Sequence, residues 1–103
     1  NIPFPPGSSG ALMRQKYNAL VFPALQKFKP ELILISAGFD AHEADPLAEL
    51  NWSTEDFSWL TERLCQIASD YCEGRLVSIL EGGYDLEALA ESVKAHVMKL
   101  CEA

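Results

Sequence analysis

The spacing of apolar residues predicts a long helix near the start of the chain. From about Ala11 to Phe28 they recur every three or four positions, which places them on one helix face. Pro23 lies inside this pattern, and we expect it to kink the helix because proline lacks a backbone donor and crowds the preceding turn. Lys29-Pro30 then ends the helix. Residues 1–10 are rich in proline and are expected to be extended or looped.

Two short apolar runs, Leu32–Ile35 and Leu76–Leu80, predict strands. Neither run alternates with polar residues, which is typical of strands of a parallel sheet that are covered on both faces. A helical pattern separates the two runs, and another follows the second run. The order strand, helix, strand, helix predicts a βαβα unit with a right-handed crossover, preceded by the leading helix.

The two later helices have clear start signals. Ser53 is a candidate N-cap with Asp56 three residues on, and Trp52 and Phe57 are spaced to form a hydrophobic staple. Gly74 is expected to end this helix. The last helix is expected to run from about Leu86 to Leu100, with Asp85 as its cap. Its predicted buried face consists of apolar residues: Leu86, Leu89, Ala90, Val93, Val97 and Leu100.

Length, charge and cysteine content narrow the class of protein. A chain of 103 residues supports one domain at most. With 15 acidic and 8 basic residues the net charge is −7, which argues against direct nucleic-acid binding. No apolar run approaches the roughly 20 residues that cross a bilayer, so we expect no membrane segment. Three cysteines without a CxxC pair favour a reducing cytoplasm.

Candidate chemistry follows both predicted strands. Ligands of parallel α/β sheets bind beyond the carboxyl ends of the strands. Asp45 follows the first strand and Tyr84 the second, so the two residues are expected to face one crevice. Asp40, His42 and Asp45 are possible metal ligands, but spacing alone favours a solvated loop, because such loops are common in proteins without metals. Gly82-Gly83 would allow a ligand to approach the backbone closely. The alternative is that the two glycines form an ordinary strand-to-helix turn and that Tyr84 packs beside it.

Three segments taken together resemble the histone deacetylase superfamily, especially its class II and bacterial branch, which is related to acetylpolyamine amidohydrolases. They are the stretch from Ser36 to Leu47 (SAGFDAHEADPL), the stretch from Leu80 to Leu86 (LEGGYDL), and the lead-in from Asn1 to Gly7 (NIPFPPG) with its downstream Phe-Pro and Lys-Pro pairs. The resemblance covers essentially the whole chain. It implies the C-terminal part of a three-layer arginase/deacetylase-like α/β fold, with residues 1–103 as an incomplete domain.

The resemblance also implies roles for single residues. Asp45, in the Asp-Pro-Leu triplet, would be a Zn²⁺ ligand, and the Tyr84 hydroxyl would stabilise the oxyanion formed from an acetyl-amide. Gly82 and Gly83 would line the channel that admits the acetyl-bearing arm. Asp40 and His42 do not match ligand positions, and we expect them to support the loop.

The segment that carries the family's Asp-x-His zinc ligands is not matched in these 103 residues, since Asp40-Ala41-His42 does not lie at the ligand positions, and the family's tandem histidines are absent as well. We therefore expect a segment of a zinc-dependent deacetylase that is inactive alone and needs the remainder of that polypeptide. The substrate would be an acetylated amine, either acetyl-lysine or an acetylpolyamine. The alternative is a non-catalytic remnant that self-associates through an exposed sheet edge. The location would be cytoplasmic, or nuclear in a eukaryote.

Overall fold

The two apolar runs pair as neighbouring parallel strands. In the computed structural model, which describes all 103 residues, β1 spans Ile33–Ala37 and β2 spans Leu76–Leu80. Ile33 pairs with Leu76 and Ala37 with Leu80, so both strands end at the same edge of the sheet. The predicted α/β architecture with a parallel sheet is confirmed.

The leading helix is interrupted at the turn before Pro23. Helix α1 spans Gly10–Lys16 and α2 spans Phe22–Phe28, and a π-helical turn, Tyr17–Val21, connects them. The Phe22 N–H donates to the Tyr17 carbonyl five residues earlier. Because Pro23 has no N–H to donate, the ordinary four-residue ladder cannot continue here, and the chain widens by one residue. Lys29 then adopts a left-handed conformation, with φ 55°, and ends α2.

Helix α3 spans Thr54–Cys72 and begins as its sequence predicts. The Ser53 hydroxyl accepts the Asp56 N–H at 3.3 Å, and the Asp56 carboxylate accepts the Ser53 N–H at 2.8 Å. The Trp52 and Phe57 rings lie 5.8 Å apart and form the expected staple. Gly74, with φ 76°, follows the last turn and allows the chain to reverse towards β2.

Helix α4 spans Leu86–Glu102 and starts at the predicted cap, where the Asp85 carboxylate accepts the Ala88 N–H at 2.9 Å. Its buried face matches the predicted apolar face only in part, because Leu89 and Val93 pack against the core whereas Leu86 is 79 % exposed. The buried residues of α4 are Ala88, Ser92 and His96, and the last two bond to Thr54 and Thr61 of α3. Small and hydrogen-bonding side chains four residues apart let the two helices approach closely.

The sheet is covered on one face only. Ile33 and Ala37 are buried, and α3 packs on this side, whereas Leu34 on the opposite face is 66 % exposed and Ile79 is 58 % exposed. The expectation that both faces are buried is therefore wrong for this chain, whose later helices both pack on the same side. No helix is both long and apolar enough to cross a membrane.

Candidate active site

The segments that follow the two strands remain side by side. The Glu81 N–H donates to the Ala37 carbonyl at 3.0 Å, and the Phe39 N–H donates to the Gly82 carbonyl at 2.8 Å. These bonds continue the parallel pairing beyond the ends of β1 and β2. They place the loop after β1 against the glycine pair that leads to α4, as the order of the strands predicts.

Asp45 joins the two segments through its carboxylate. Oδ2 accepts the backbone N–H groups of Tyr84 at 2.7 Å and Asp85 at 3.2 Å, and Oδ1 accepts the Leu47 N–H at 2.9 Å. Asp45 is 5 % exposed. Residues 45 and 84 thus lie together, and the Asp45 carboxylate bonds directly to the backbone that follows the second strand.

Several opposing effects set the pKa of Asp45. Burial raises the pKa of this carboxyl, but the three backbone N–H donors from Leu47, Tyr84 and Asp85, together with the nearby His42, outweigh burial and lower the pKa overall. The carboxylate is therefore ionised at neutral pH. It supplies a negative charge just before the N-terminus of α4, where the helix dipole favours one.

The bonding of Asp45 leaves room for one further partner. Each carboxylate oxygen has two acceptor sites. Oδ2 uses both for the Tyr84 and Asp85 N–H groups, while Oδ1 accepts only the Leu47 N–H. An ionised oxygen with an open acceptor site suits a divalent cation such as zinc. No group of three or more His, Cys, Asp or Glu side chains in the chain forms a metal cluster, so the chain by itself contains no complete metal site.

Tyr84 points its side chain away from the core. The residue is 57 % exposed, and only its backbone N–H contacts Asp45. The phenol makes no hydrogen bond within the chain, so the alternative in which Tyr84 is a packed residue does not describe this structure. Its hydroxyl is free to donate to a bound molecule at the same turn that holds the Asp45 carboxylate.

The glycine pair lies close to other side chains of the chain. A Cβ on Gly82 would lie 2.8 Å from Oδ1 of Asp40, and a Cβ on Gly83 would lie 2.6 Å from Cδ1 of Leu89. Gly83 also has φ 141°, a conformation that side chains disfavour. The backbone conformation thus explains Gly83, the contacts of both glycines are with the movable ends of the Asp40 and Leu89 side chains, and the role of the pair as channel lining stays a prediction.

The nitrogens of His42 are both engaged within the protein. Nδ1 accepts the Ala44 N–H at 3.1 Å, and Nε2 lies 3.3 Å from the Thr54 hydroxyl. The Asp40 carboxylate lies against the backbone of Gly82. These contacts are those of loop-supporting residues, which is the role expected from the sequence.

Thr54 and Ser92, whose hydroxyl oxygens lie 3.3 Å apart, were missed among the candidates. One signal was available for Ser92, which lies midway between Ala88 and His96. A small or polar residue at every fourth position marks a helix face that packs closely or forms hydrogen bonds.

The chain matches the family model described as "Histone deacetylase domain" over residues 1–100. The chain therefore belongs to the histone deacetylase family. It is 48 % identical over 93 residues to "Histone deacetylase 10, chloroplastic" of Oryza sativa subsp. japonica, an alignment that covers 90 % of this chain and 21 % of the relative.

Solved structures show the same fold. The crystal structure of the HDA15 HD domain matches 93 % of this chain with a TM-score of 0.82 and 32 % identity. The structure of the histone deacetylase Clr3 matches 99 % with a TM-score of 0.89 and 25 % identity. The chain covers 26 % and 17 % of those two structures, and 21 % and 22 % of two curated relatives, the rice protein above and "Histone deacetylase 14, chloroplastic" of Arabidopsis thaliana.

Proposed function

We propose that these residues form part of a zinc-dependent deacetylase domain that hydrolyses an acetyl-amide. The substrate would be an acetylated amine of the acetyl-lysine or acetylpolyamine type. Besides family membership, the strongest support is the contact between a buried, ionised Asp45 and the turn that presents an exposed Tyr84. The acidic balance of the chain, with net charge −7, also favours a cationic substrate over a nucleic acid.

Asp45 would hold the zinc ion through Oδ1, the oxygen with an open acceptor site. A bound zinc ion supplies Lewis-acid polarisation of the amide carbonyl and lowers the pKa of a bound water. The three N–H groups that Asp45 accepts would fix its orientation and keep it anionic, as the partners of metal ligands do elsewhere.

Tyr84 would donate its hydroxyl to the oxygen of the substrate carbonyl as negative charge develops there. The exposure of Tyr84 leaves its phenol free for this role. The bond from its backbone N–H to Asp45 holds the Tyr84 turn against the Asp45 carboxylate. Gly82 and Gly83 would form the wall of the channel beside it, because residues without side chains let a narrow substrate arm approach the backbone.

The remainder of a deacetylase polypeptide would supply the other metal ligands. It would also cover the open face of the sheet, where Leu34, Val77 and Ile79 are exposed. A chain without that cover is expected to self-associate through this face or the adjoining strand edges.

The alternative function, a non-catalytic remnant, is favoured by one observation, the lack of a three-ligand cluster among these residues. The three free cysteines support a reducing compartment such as the cytoplasm or nucleus.

The test compares the 103-residue chain with a complete deacetylase domain that contains it. The chain alone should neither bind zinc stoichiometrically nor hydrolyse acetyl-lysine peptides or acetylated polyamines. In the complete domain, Tyr84→Phe should keep zinc and lower kcat about 10²–10³-fold, the loss typical of one oxyanion donor.

Tyr71→Phe is the control, because this tyrosine is also exposed but lies on α3. An unchanged kcat in Tyr84→Phe would exclude the proposed role of the hydroxyl. Turnover by a 103-residue monomer with bound zinc would show that the chain needs no further ligands.

A further inference from the structure

A series of hydrogen bonds connects the loop that carries Asp45 to helix α4. The Ala44 N–H donates to Nδ1 of His42 at 3.1 Å, and Nε2 of His42 lies 3.3 Å from Oγ1 of Thr54. Thr54 Oγ1 lies 3.3 Å from Oγ of Ser92, which is completely buried. We call His42, Thr54 and Ser92 the polar relay. It joins the loop, the first turn of α3 and the middle of α4.

The direction of the two bonds at His42 follows from the donors around its ring. Because Nδ1 of His42 accepts the Ala44 N–H, the proton of the neutral ring lies on Nε2. Nε2–H then donates to the Thr54 hydroxyl, which shares a further hydrogen bond with the Ser92 hydroxyl, in which either oxygen can be the donor. The ring also lies nearly parallel to that of Phe57, with 13° between the planes and 6.5 Å between the centroids.

The loop is therefore attached to α4 at two places. At the first, the Asp45 carboxylate accepts the N–H groups of Tyr84 and Asp85, just before the helix begins. At the second, the polar relay ends on Ser92, seven residues or about two helical turns further on. The two attachments are linked, because the Asp45 N–H donates to the His42 carbonyl at 2.9 Å.

We propose that His42, Thr54 and Ser92 are positioning residues that hold the Asp45 carboxylate against the Tyr84 turn. Residues 38–53 contain no helix or strand, so individual hydrogen bonds determine where Asp45 lies. The importance of this placement for catalysis rests on the proposed function. The polar relay itself depends only on the observed contacts.

His96, the second of the two histidines in the chain, has the opposite bonding. The Thr61 hydroxyl donates to the Phe57 carbonyl at 2.7 Å, so its oxygen accepts a proton from Nδ1 of His96, also at 2.7 Å. Nε2 of His96 accepts the Ser78 hydroxyl at 2.8 Å. Neutral His96 thus carries its proton on Nδ1, while neutral His42 carries it on Nε2.

Two measurements on the full chain test this proposal. The first is ¹⁵N NMR of histidine-labelled protein at a pH where both rings are neutral. We expect one ring protonated on Nε2, assigned to His42, and one on Nδ1, assigned to His96. Two rings with the same tautomer, or with averaged signals as in an unfolded chain, would overturn the assignment.

The second measurement is amide hydrogen exchange in Thr54→Val, which keeps the shape of the side chain and removes its hydroxyl. Exchange of the Tyr84 and Ala44 N–H groups should accelerate about five- to tenfold, as expected for loss of one hydrogen bond. Exchange of the Ile67 N–H in the middle of α3 should not change, which distinguishes a positioning role from general destabilisation. Thr54→Ser should restore the original rates.

Ser92→Ala provides a second variant, with the exposed Ser69→Ala on α3 as its matched control. Ser92→Ala should accelerate exchange of the Tyr84 N–H, whereas Ser69→Ala should not. Unchanged exchange at Tyr84 in both Thr54→Val and Ser92→Ala would overturn the proposal. Neither measurement involves zinc or substrate, so a failure of the polar relay is distinguishable from a failure of the proposed deacetylase function.

Discussion

Acidification from pH 7.5 to 5.5 is expected to destabilise the fold through His96. Burial of its ring lowers the pKa of His96 below the ordinary value of 6.5. The groups that the ring contacts, Thr61, Ser78 and Phe39, are all neutral, and none compensates an added proton. Protonation would also place a second N–H against the Ser78 hydroxyl, which now donates to that nitrogen.

The sign and size of this effect follow from linkage. The unfolded chain takes up a proton near pH 6.5 and the folded chain at lower pH, so stability is complete above 6.5 and falls as the pH decreases below it. If folded His96 stayed neutral throughout, the loss from pH 7.5 to 5.5 would be about 1.4 kcal/mol. Solvent screening at the accessible edge of the ring reduces this, and we expect about 0.5–1 kcal/mol. Asp45 does not contribute, because its lowered pKa affects stability only below its ordinary value of 3.8.

The assay is urea denaturation at the two pH values and one protein concentration, followed by circular dichroism. The wild-type chain should lose stability on acidification, while His96→Gln, which cannot be protonated, should show a much smaller change. An equal loss in His96→Gln and wild type would refute the assignment of this pH dependence to His96.

Three further outcomes are expected. Gly10→Ala should lower the free energy of unfolding by about 2–4 kcal/mol, because the new Cβ would overlap the Asp56 carboxylate that caps α3. A loss of less than about 0.5 kcal/mol in urea denaturation would contradict this prediction. Gly83→Ala should lower the free energy of unfolding by about 1–3 kcal/mol, because of the φ of residue 83 and the contact of the new Cβ with Leu89. Adding Leu89→Ala should relieve the contact but not the strained φ. An unchanged urea midpoint in Gly83→Ala would contradict the predicted strain. Light scattering of the 103-residue chain should give a mass above 11.4 kDa that decreases in Ile79→Lys, and a single-chain mass with cooperative unfolding would argue against self-association.

The elements were predictable because their signals are local. The Ser53–Asp56 capping box lies within four residues, and the two strands are continuous apolar runs. Pro23 correctly indicated an irregularity in the leading helix. The sequence predicts a kink there, whereas the structure has a π-helical turn.

The parts that were missed depend on contacts between distant residues. The most buried part of α4 could not be read from hydrophobicity, because Ser92 and His96 form hydrogen bonds to Thr54, Thr61 and Ser78. The exposure of one sheet face was also missed, since an apolar run does not reveal which chain segments cover it.

The sequence predicts where the candidate site lies but not the hydrogen bonds that hold it together. Parallel strand order placed Asp45 and Tyr84 at one edge, since both follow strands that end there. That the Asp45 carboxylate would accept the backbone N–H groups of Tyr84 and Asp85 depends on the conformation of a long irregular loop. No spacing rule connects residues 39 positions apart.

The role of Asp45 as a zinc ligand is tested most directly by the zinc content of a complete deacetylase domain that contains this segment. Asp45→Asn keeps an oxygen for the Tyr84 and Asp85 N–H groups but removes the anionic oxygen with the open acceptor site. Asp40→Asn is the matched control from the same loop. We expect the purified Asp45→Asn domain to be folded and depleted of zinc, with the Asp40→Asn domain retaining it. Stoichiometric zinc at undiminished affinity in folded Asp45→Asn would contradict the assignment.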